Sequence, residues 1–184
     1  MRAFLSVDLP DELATPFSKV QEDLKGAHGL NFTDPDQAHV TLKFLGKVPD
    51  DEVDDVIDAA ATAVDEADVG PFECNVGGLG VFPSLDYISV VWVGVDGGAV
   101  ELSALHEALE AATTDLGYAP EEHEFTPHFT LARMKDARGK DIVQDVVQNH
   151  NPEVGTFTVD EVRLKESHLT EEGPEYETVE SFEL

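Results

Sequence analysis

A single cysteine, Cys74, among 184 residues excludes an intramolecular disulfide and leaves no material for a thiolate metal cluster. No stretch approaches the roughly 18 uninterrupted apolar residues of a membrane helix. The opening MRAFLSVDLP also lacks the charged region and long apolar segment of a secretory signal. The expectation is a soluble, cytoplasmic, monomeric protein. Linkers rich in Pro, Gly or Ser are absent as well, so residues 1–184 read as one unit. The scarcest class is the basic one: 11 Lys and Arg stand against 39 Asp and Glu, a net charge of -28. With 41% apolar residues in periodic order, the chain is not a disordered acidic tail. Its composition suits a folded protein in very high salt, where like charges are screened within a few ångströms. The alternatives are a nucleic-acid mimic or the partner of a basic protein.

What is present is unevenly placed. Segments 39–47 and 128–140 hold more than half of the 11 basic residues, namely Lys43, Lys47, Arg133, Lys135, Arg138 and Lys140, beside one acid, Asp136. Two locally positive segments on a strongly negative body predict a phosphate-bearing substrate.

The same two segments carry a repeated tetrapeptide, His39-Val40-Thr41-Leu42 and His128-Phe129-Thr130-Leu131, an HxTx motif. Both lie in short apolar runs with strand character, HVTLKFLG and HFTLAR, where residues i and i+2 share a face. Each histidine therefore points with its threonine, while the intervening apolar residues point to the core. Two imidazoles and two hydroxyls meeting in one cleft are the equipment for acid-base chemistry on a phosphodiester.

Around the motifs, periodicity predicts a strand over 2–8, a helix from LPDEL to about Gly26, and the strand HVTLKFLG. A helix over 50–67 follows, then a hairpin formed by FECNVGGLGVF and Tyr87–Val95 around Pro83-Ser84. The second half predicts a helix over 99–116, a strand over 127–133, a helix over 139–149 and strands over 155–168 and 175–183. The two halves repeat an order, which implies an α+β, bilobal, pseudo-two-fold duplication. Its antiparallel strands line a central cleft and its helices pack outside.

The residues HVTLKFLG and PHFTLAR, with RAFLSVDLP, GLGVFP and SHLTEEGPEYETVESFEL, resemble the two-histidine phosphoesterase superfamily. Within it they are most similar to the RNA 2′,3′-cyclic phosphodiesterases long called 2′-5′ RNA ligases. The acidic composition adds a halophilic archaeon as the expected source. One departure is GLNFTDPDQA at 29–38, where the family has a tryptophan- and arginine-containing approach. The resemblance implies a bilobal fold, no metal or cofactor, RNA with 2′,3′-cyclic phosphate ends as substrate, and hydrolysis to a 2′-phosphomonoester. It also implies weak reversible 2′-5′ joining of RNA ends. By the same resemblance His39 is the proton donor and His128 the acceptor, although the symmetry of the motifs leaves that assignment open.

Thr41 and Thr130 suit the non-bridging phosphate oxygens. Arg133 is the candidate phosphate clamp, but strict alternation puts it opposite His128, so this role requires a bend near Ala132. Phe44, at the equivalent offset in the first half, either stacks on a base or belongs to the core. His168-Leu169-Thr170 is a third His-x-Thr, without the following leucine, in front of a turn. No HExxH, calcium loop or Cys/His spacing supports a metal site. Two further readings remain: a phosphodiesterase acting on a small cyclic phosphate derived from a nucleotide, and a non-catalytic RNA-binding module.

Overall fold

The computed structural model describes residues 1–184. In chain order the elements are β1 (Arg2–Asp8), α1 (Ala14–Glu22), β2 (Leu30–Phe32), β3 (His39–Lys47), α2 (Val53–Ala67), β4 (Phe72–Pro83) and β5 (Ile88–Val95). They continue with α3 (Ala99–Asp115), β6 (His128–Met134), α4 (Lys140–Asn149), β7 (Glu153–Val159), β8 (Glu161–Thr170) and β9 (Gly173–Glu183). Two antiparallel sheets result, with strand orders β3-β1-β8-β9 and β2-β6-β5-β4-β7. Apart from the short β2, both sheets follow one plan: a motif strand, β3 or β6, is flanked by β1 or β5, then β8 or β4, then β9 or β7. The duplication expected from the sequence is therefore present in the topology.

Strand β1 shows how the layers form. Ala3, Leu5 and Val7 alternate with Phe4 and Ser6, and all five are buried, because one face packs on the core and the other floors the cleft. Leu102, Leu105 and Leu109 recur at helical spacing on the buried side of α3, and Val56, Ala60, Ala63 and Val64 do the same on α2. The two helices pack on each other, and α3 lies against β3. Each such leucine contributes roughly 1.5–3 kcal/mol by leaving water. One hydrophobic cluster of 36 buried residues runs through both halves. The motif strands β3 and β6 lie against each other, which aims the two sheets into a shared cleft.

Two expected elements are corrected. Helix α1 stops at Glu22 rather than Gly26, and the chain turns instead through hydrogen bonds from Leu24 N to Gln21 O and from Ala27 N to Leu24 O. The strand expected over 155–168 is broken at Asp160: β7 belongs to one sheet and β8 to the other. Val159 and Val162 are both buried, a step of three that a single two-period strand cannot hold on one face. The crossing at Asp160 places Arg163 and Lys165 beside β1.

Candidate active site

The register of each motif strand contains the same irregularity. On β3, Lys43 pairs with Leu5 and Thr41 with Ser6, so Leu42 is skipped. On β6, Ala132 pairs with Val91 and Thr130 with Trp92, so Leu131 is skipped. One unpaired residue in a strand is a bulge, and it reverses the alternation beyond it. His39 and Thr41 face the cleft, and after the bulge Phe44 returns to that face; His128, Thr130 and Arg133 repeat the pattern. The bend that Arg133 requires is thus located one residue before Ala132.

Both histidines are anchored in the same way. Nδ1 of His39 donates to Gln37 O at 2.9 Å and Nδ1 of His128 to Thr126 O at 2.7 Å. A carbonyl oxygen only accepts, so the proton sits on Nδ1 and Nε2 is left for chemistry. The Phe4 ring stacks on His39 at 4.8 Å and Tyr176 meets it edge-on at 5.1 Å. Phe82 and Trp92 stand 4.9 and 5.8 Å from His128. Burial among these rings lowers both imidazole pKa values below their ordinary 6.5, opposed by the two backbone hydrogen bonds. The Asp8 carboxylate pushes the His39 pKa up, whereas Lys165 and His128 push it in the same direction as burial. Arg133 acts likewise on His128.

The expected positive segments need correction. Lys43, turned inward by the bulge at Leu42, has only 2% of its side chain exposed and pairs with Glu110 at 2.7 Å. It also donates to Ala119 O, so it ties α3 and the following loop beneath β3. Arg138 is held by Asp136 within its own turn at 3.0 Å. Of those segments Lys47 and Arg133 reach the cleft face, and the other cations there, Arg2, Arg163 and Lys165, come from β1 and β8. Cross-strand partners share a face, and the ladders set Arg2 opposite Lys47, Ser6 opposite Arg163 and Phe4 opposite Lys165. With Arg133, these make the cleft face basic.

Sequence reasoning missed Asp8, Lys165, Tyr176, Phe4, Phe82 and Trp92. Asp8 is the register partner of His39. Its carboxylate accepts from Lys165 Nζ at 2.9 and 3.0 Å, from Arg163 at 3.0 Å and from Ser6 at 3.2 Å. Gln37, in the segment that departs from the family, accepts the Tyr176 N–H on its side chain, so 29–38 supports the His39 side of the cleft. Phe44 is 46% exposed, which overturns the core alternative. His168 lies on the other face of β8 from Lys165, 3.4 Å from Glu177 and 3.6 Å from Glu166, away from the motif histidines. The local hints were an acid ending an apolar strand at Asp8 and, in VRLKE, two cations alternating with apolar residues.

A family model described as the 2′-5′ RNA ligase superfamily matches residues 9–171. The chain belongs to this superfamily. As a member it is similar to the RNA 2′,3′-cyclic phosphodiesterase of Methanothermobacter thermautotrophicus, 37% identical over 186 residues, with 100% of this chain and 99% of the relative covered. The RNA 2′,3′-cyclic phosphodiesterase of Aeropyrum pernix is 40% identical over 142 residues, covering 77% of this chain and 78% of that protein. A Thermus thermophilus crystal structure has a TM-score of 0.82 at 28% identity, covering 100% of this chain and 98% of that one. Escherichia coli LigT complexed with 3′-AMP shares the superfamily fold with a TM-score of 0.82 at 22% identity, covering 100% and 97%.

Proposed function

We propose that this protein hydrolyses the 2′,3′-cyclic phosphate at RNA ends to a 2′-phosphomonoester, with His39 and His128 as the acid-base pair. The observation that carries this reading is the mirrored pair of Nδ1 anchors, each leaving an Nε2 directed at one cleft. The whole-length similarity to archaeal RNA 2′,3′-cyclic phosphodiesterases supports the substrate class.

The chemistry follows from the groups present. Water attacks phosphorus as one Nε2 takes its proton. The P–O3′ bond breaks, and the other imidazole, protonated, gives its proton to O3′. The product carries a 2′-phosphate and a free 3′-hydroxyl. Thr41 and Thr130 donate to the non-bridging oxygens as charge builds, and Arg133 neutralises it from the far end of the motif strand. His39 as donor and His128 as acceptor is the assignment we adopt. With a 5′-hydroxyl in place of water as the nucleophile, the same forward step joins RNA ends through a 2′-5′ bond and frees the 3′-hydroxyl; its reverse cleaves that bond and restores the cyclic phosphate.

Phe44 offers an exposed ring for a base. The protein acts on RNA as a monomer in the cytoplasm on this reading, and no helix is long and apolar enough to cross a membrane. The acidic exterior fits a halophilic setting. The test is incubation of an oligoribonucleotide ending in a 2′,3′-cyclic phosphate beside a cyclic mononucleotide in high potassium chloride, with products identified by phosphorus NMR. A 2′-phosphate is expected. Exclusive 3′-phosphate means that the ribose binds in the other sense, and turnover of the mononucleotide alone favours the small-substrate reading.

A further inference from the structure

The cleft face of β1 and β3 continues well past the reacting groups. From the level of His39 and Asp8 the ladder runs through Thr41 and Ser6, then Phe44 and Phe4, to Lys47 and Arg2. Arg2 and Asp8 are the two ends of the seven-residue β1, about 20 Å apart at antiparallel spacing, further than one nucleotide spans. At that end the Arg2 guanidinium lies 4.9 Å from the centroid of the Phe44 ring. Arg2 and Lys47 stand directly opposite each other, a like-charge arrangement that costs stability on a sheet unless an anion sits between the two. Neither takes part in an ion pair, although carboxylates outnumber bases 39 to 11. A half-exposed aromatic ring with a guanidinium on one face and a second cation beside it matches the chemistry of a stacked base followed by a backbone phosphate.

We propose that Arg2, Phe44 and Lys47 form a strand platform that holds the RNA chain upstream of its cyclic end, and so favours oligonucleotides over cyclic mononucleotides. The proposal rests on the phosphodiesterase reading above and adds the path of the substrate. One Phe44 face is covered by Arg2, and the other takes a base. Arg2 and Lys47 then share a phosphate that a mononucleotide does not possess. The other exit from the cleft, past the end of β6, is less suited to this role. There Lys135 and Lys140 lie with Asp86 and Asp136 around one pocket, and Arg138 is engaged by Asp136.

The experiment measures kcat/KM for a short oligoribonucleotide with a 2′,3′-cyclic end and for the matching cyclic mononucleotide, in wild type, Arg2→Ala, Lys47→Ala, Phe44→Ala and the double variant Lys135→Ala/Lys140→Ala. Platform variants are expected to lower the ratio of oligonucleotide to mononucleotide kcat/KM, through KM. The drop is about 5- to 100-fold for Phe44→Ala, the range of a lost base stack. Arg2→Ala should also flatten the dependence of oligonucleotide KM on salt, by a slope of about 0.7 per phosphate contact removed. A ratio unmoved by all three platform variants, or lowered only by the Lys135/Lys140 pair, overturns the platform. Wild-type protein that turns over neither substrate overturns the phosphodiesterase reading instead. Circular dichroism of each variant separates a lost contact from a lost fold.

Discussion

Leu42 and Leu131 hold the same place in the two lobes: each is skipped by its neighbouring strand, at the fourth position of its motif, and β3 alone has a second such skip at Leu45. The leucine side chains stay in the core, at 1% and 0% exposure, while the extra residue turns the residues just after it by half a period. The consequence differs between the lobes. In one, the bulge buries Lys43 and exposes Phe44; in the other, it buries Ala132 and exposes Arg133. A repeated motif thus presents an aromatic ring on one side of the cleft and a guanidinium on the other.

Removing either imidazole removes an acid or a base from a concerted transfer. His39→Ala and His128→Ala are each expected to lower turnover of a cyclic-phosphate substrate by roughly 10²-fold or more, with an unchanged circular dichroism spectrum. Wild-type turnover by either variant refutes two-histidine catalysis.

Burial lowers both histidine pKa values, so in the free protein each ring remains neutral to a pH below 6.5. Catalysis needs one proton on the pair. The kcat/KM profile is therefore expected to be bell-shaped, to centre below pH 6.5 and to decline as pH rises through neutrality. A bound phosphodiester anion favours imidazolium, so the kcat profile lies at higher pH than that of kcat/KM. A flat kcat/KM between pH 6 and 9 contradicts this account.

Lys43 separates a structural cation from a cleft cation. Lys43→Met removes the buried ammonium from Glu110, which keeps the Glu121 N–H, and leaves Ala119 O without its donor, at a cost of about 1–3 kcal/mol. Chemical denaturation should show the loss, while kcat/KM of the remaining folded protein stays at the wild-type value. A fall in kcat/KM at unchanged stability would return Lys43 to the substrate.

Gly80 lets the Trp92 indole lie flat across β4, and a Cβ there would overlap the ring. Because Trp92 walls His128, Gly80→Ala is expected to cost about 1–3 kcal/mol and also to reduce kcat. Thermal unfolding and single-turnover rates check the two halves independently.

Salt should act mainly on the body of the protein. At a net charge of -28, repulsion reaches about 10 Å in 0.1 M salt and only about 3 Å at 1 M. Activity is expected to rise from low to molar potassium chloride in step with recovery of the folded state by circular dichroism. The opposing loss of RNA affinity by counterion release is limited by the few phosphates engaged. Full folding and maximal rate at about 0.1 M would assign the acidic surface to a partner instead.

The sequence alone singled out the two histidines and two threonines as a repeated pair and determined that each histidine faces the same way as its threonine, because a two-residue alternation is local to one strand. It also determined the duplication, since the order of elements repeats. The break at Asp160 was visible in the three-residue step between Val159 and Val162, but a short apolar run does not say which sheet it joins. Only the tertiary structure decided the bulges at Leu42 and Leu131, and with them the facing of Lys43, Phe44 and Arg133, because a bulge exists only relative to a paired strand. The same holds for Asp8, Lys165 and Tyr176: they reach His39 from β1, β8 and β9, distant in sequence and adjacent only through cross-strand register. Charge followed this rule as well. The sequence counts cations along the chain, whereas pairing decides which of them point into the cleft and which, like Lys43, are spent on holding a helix.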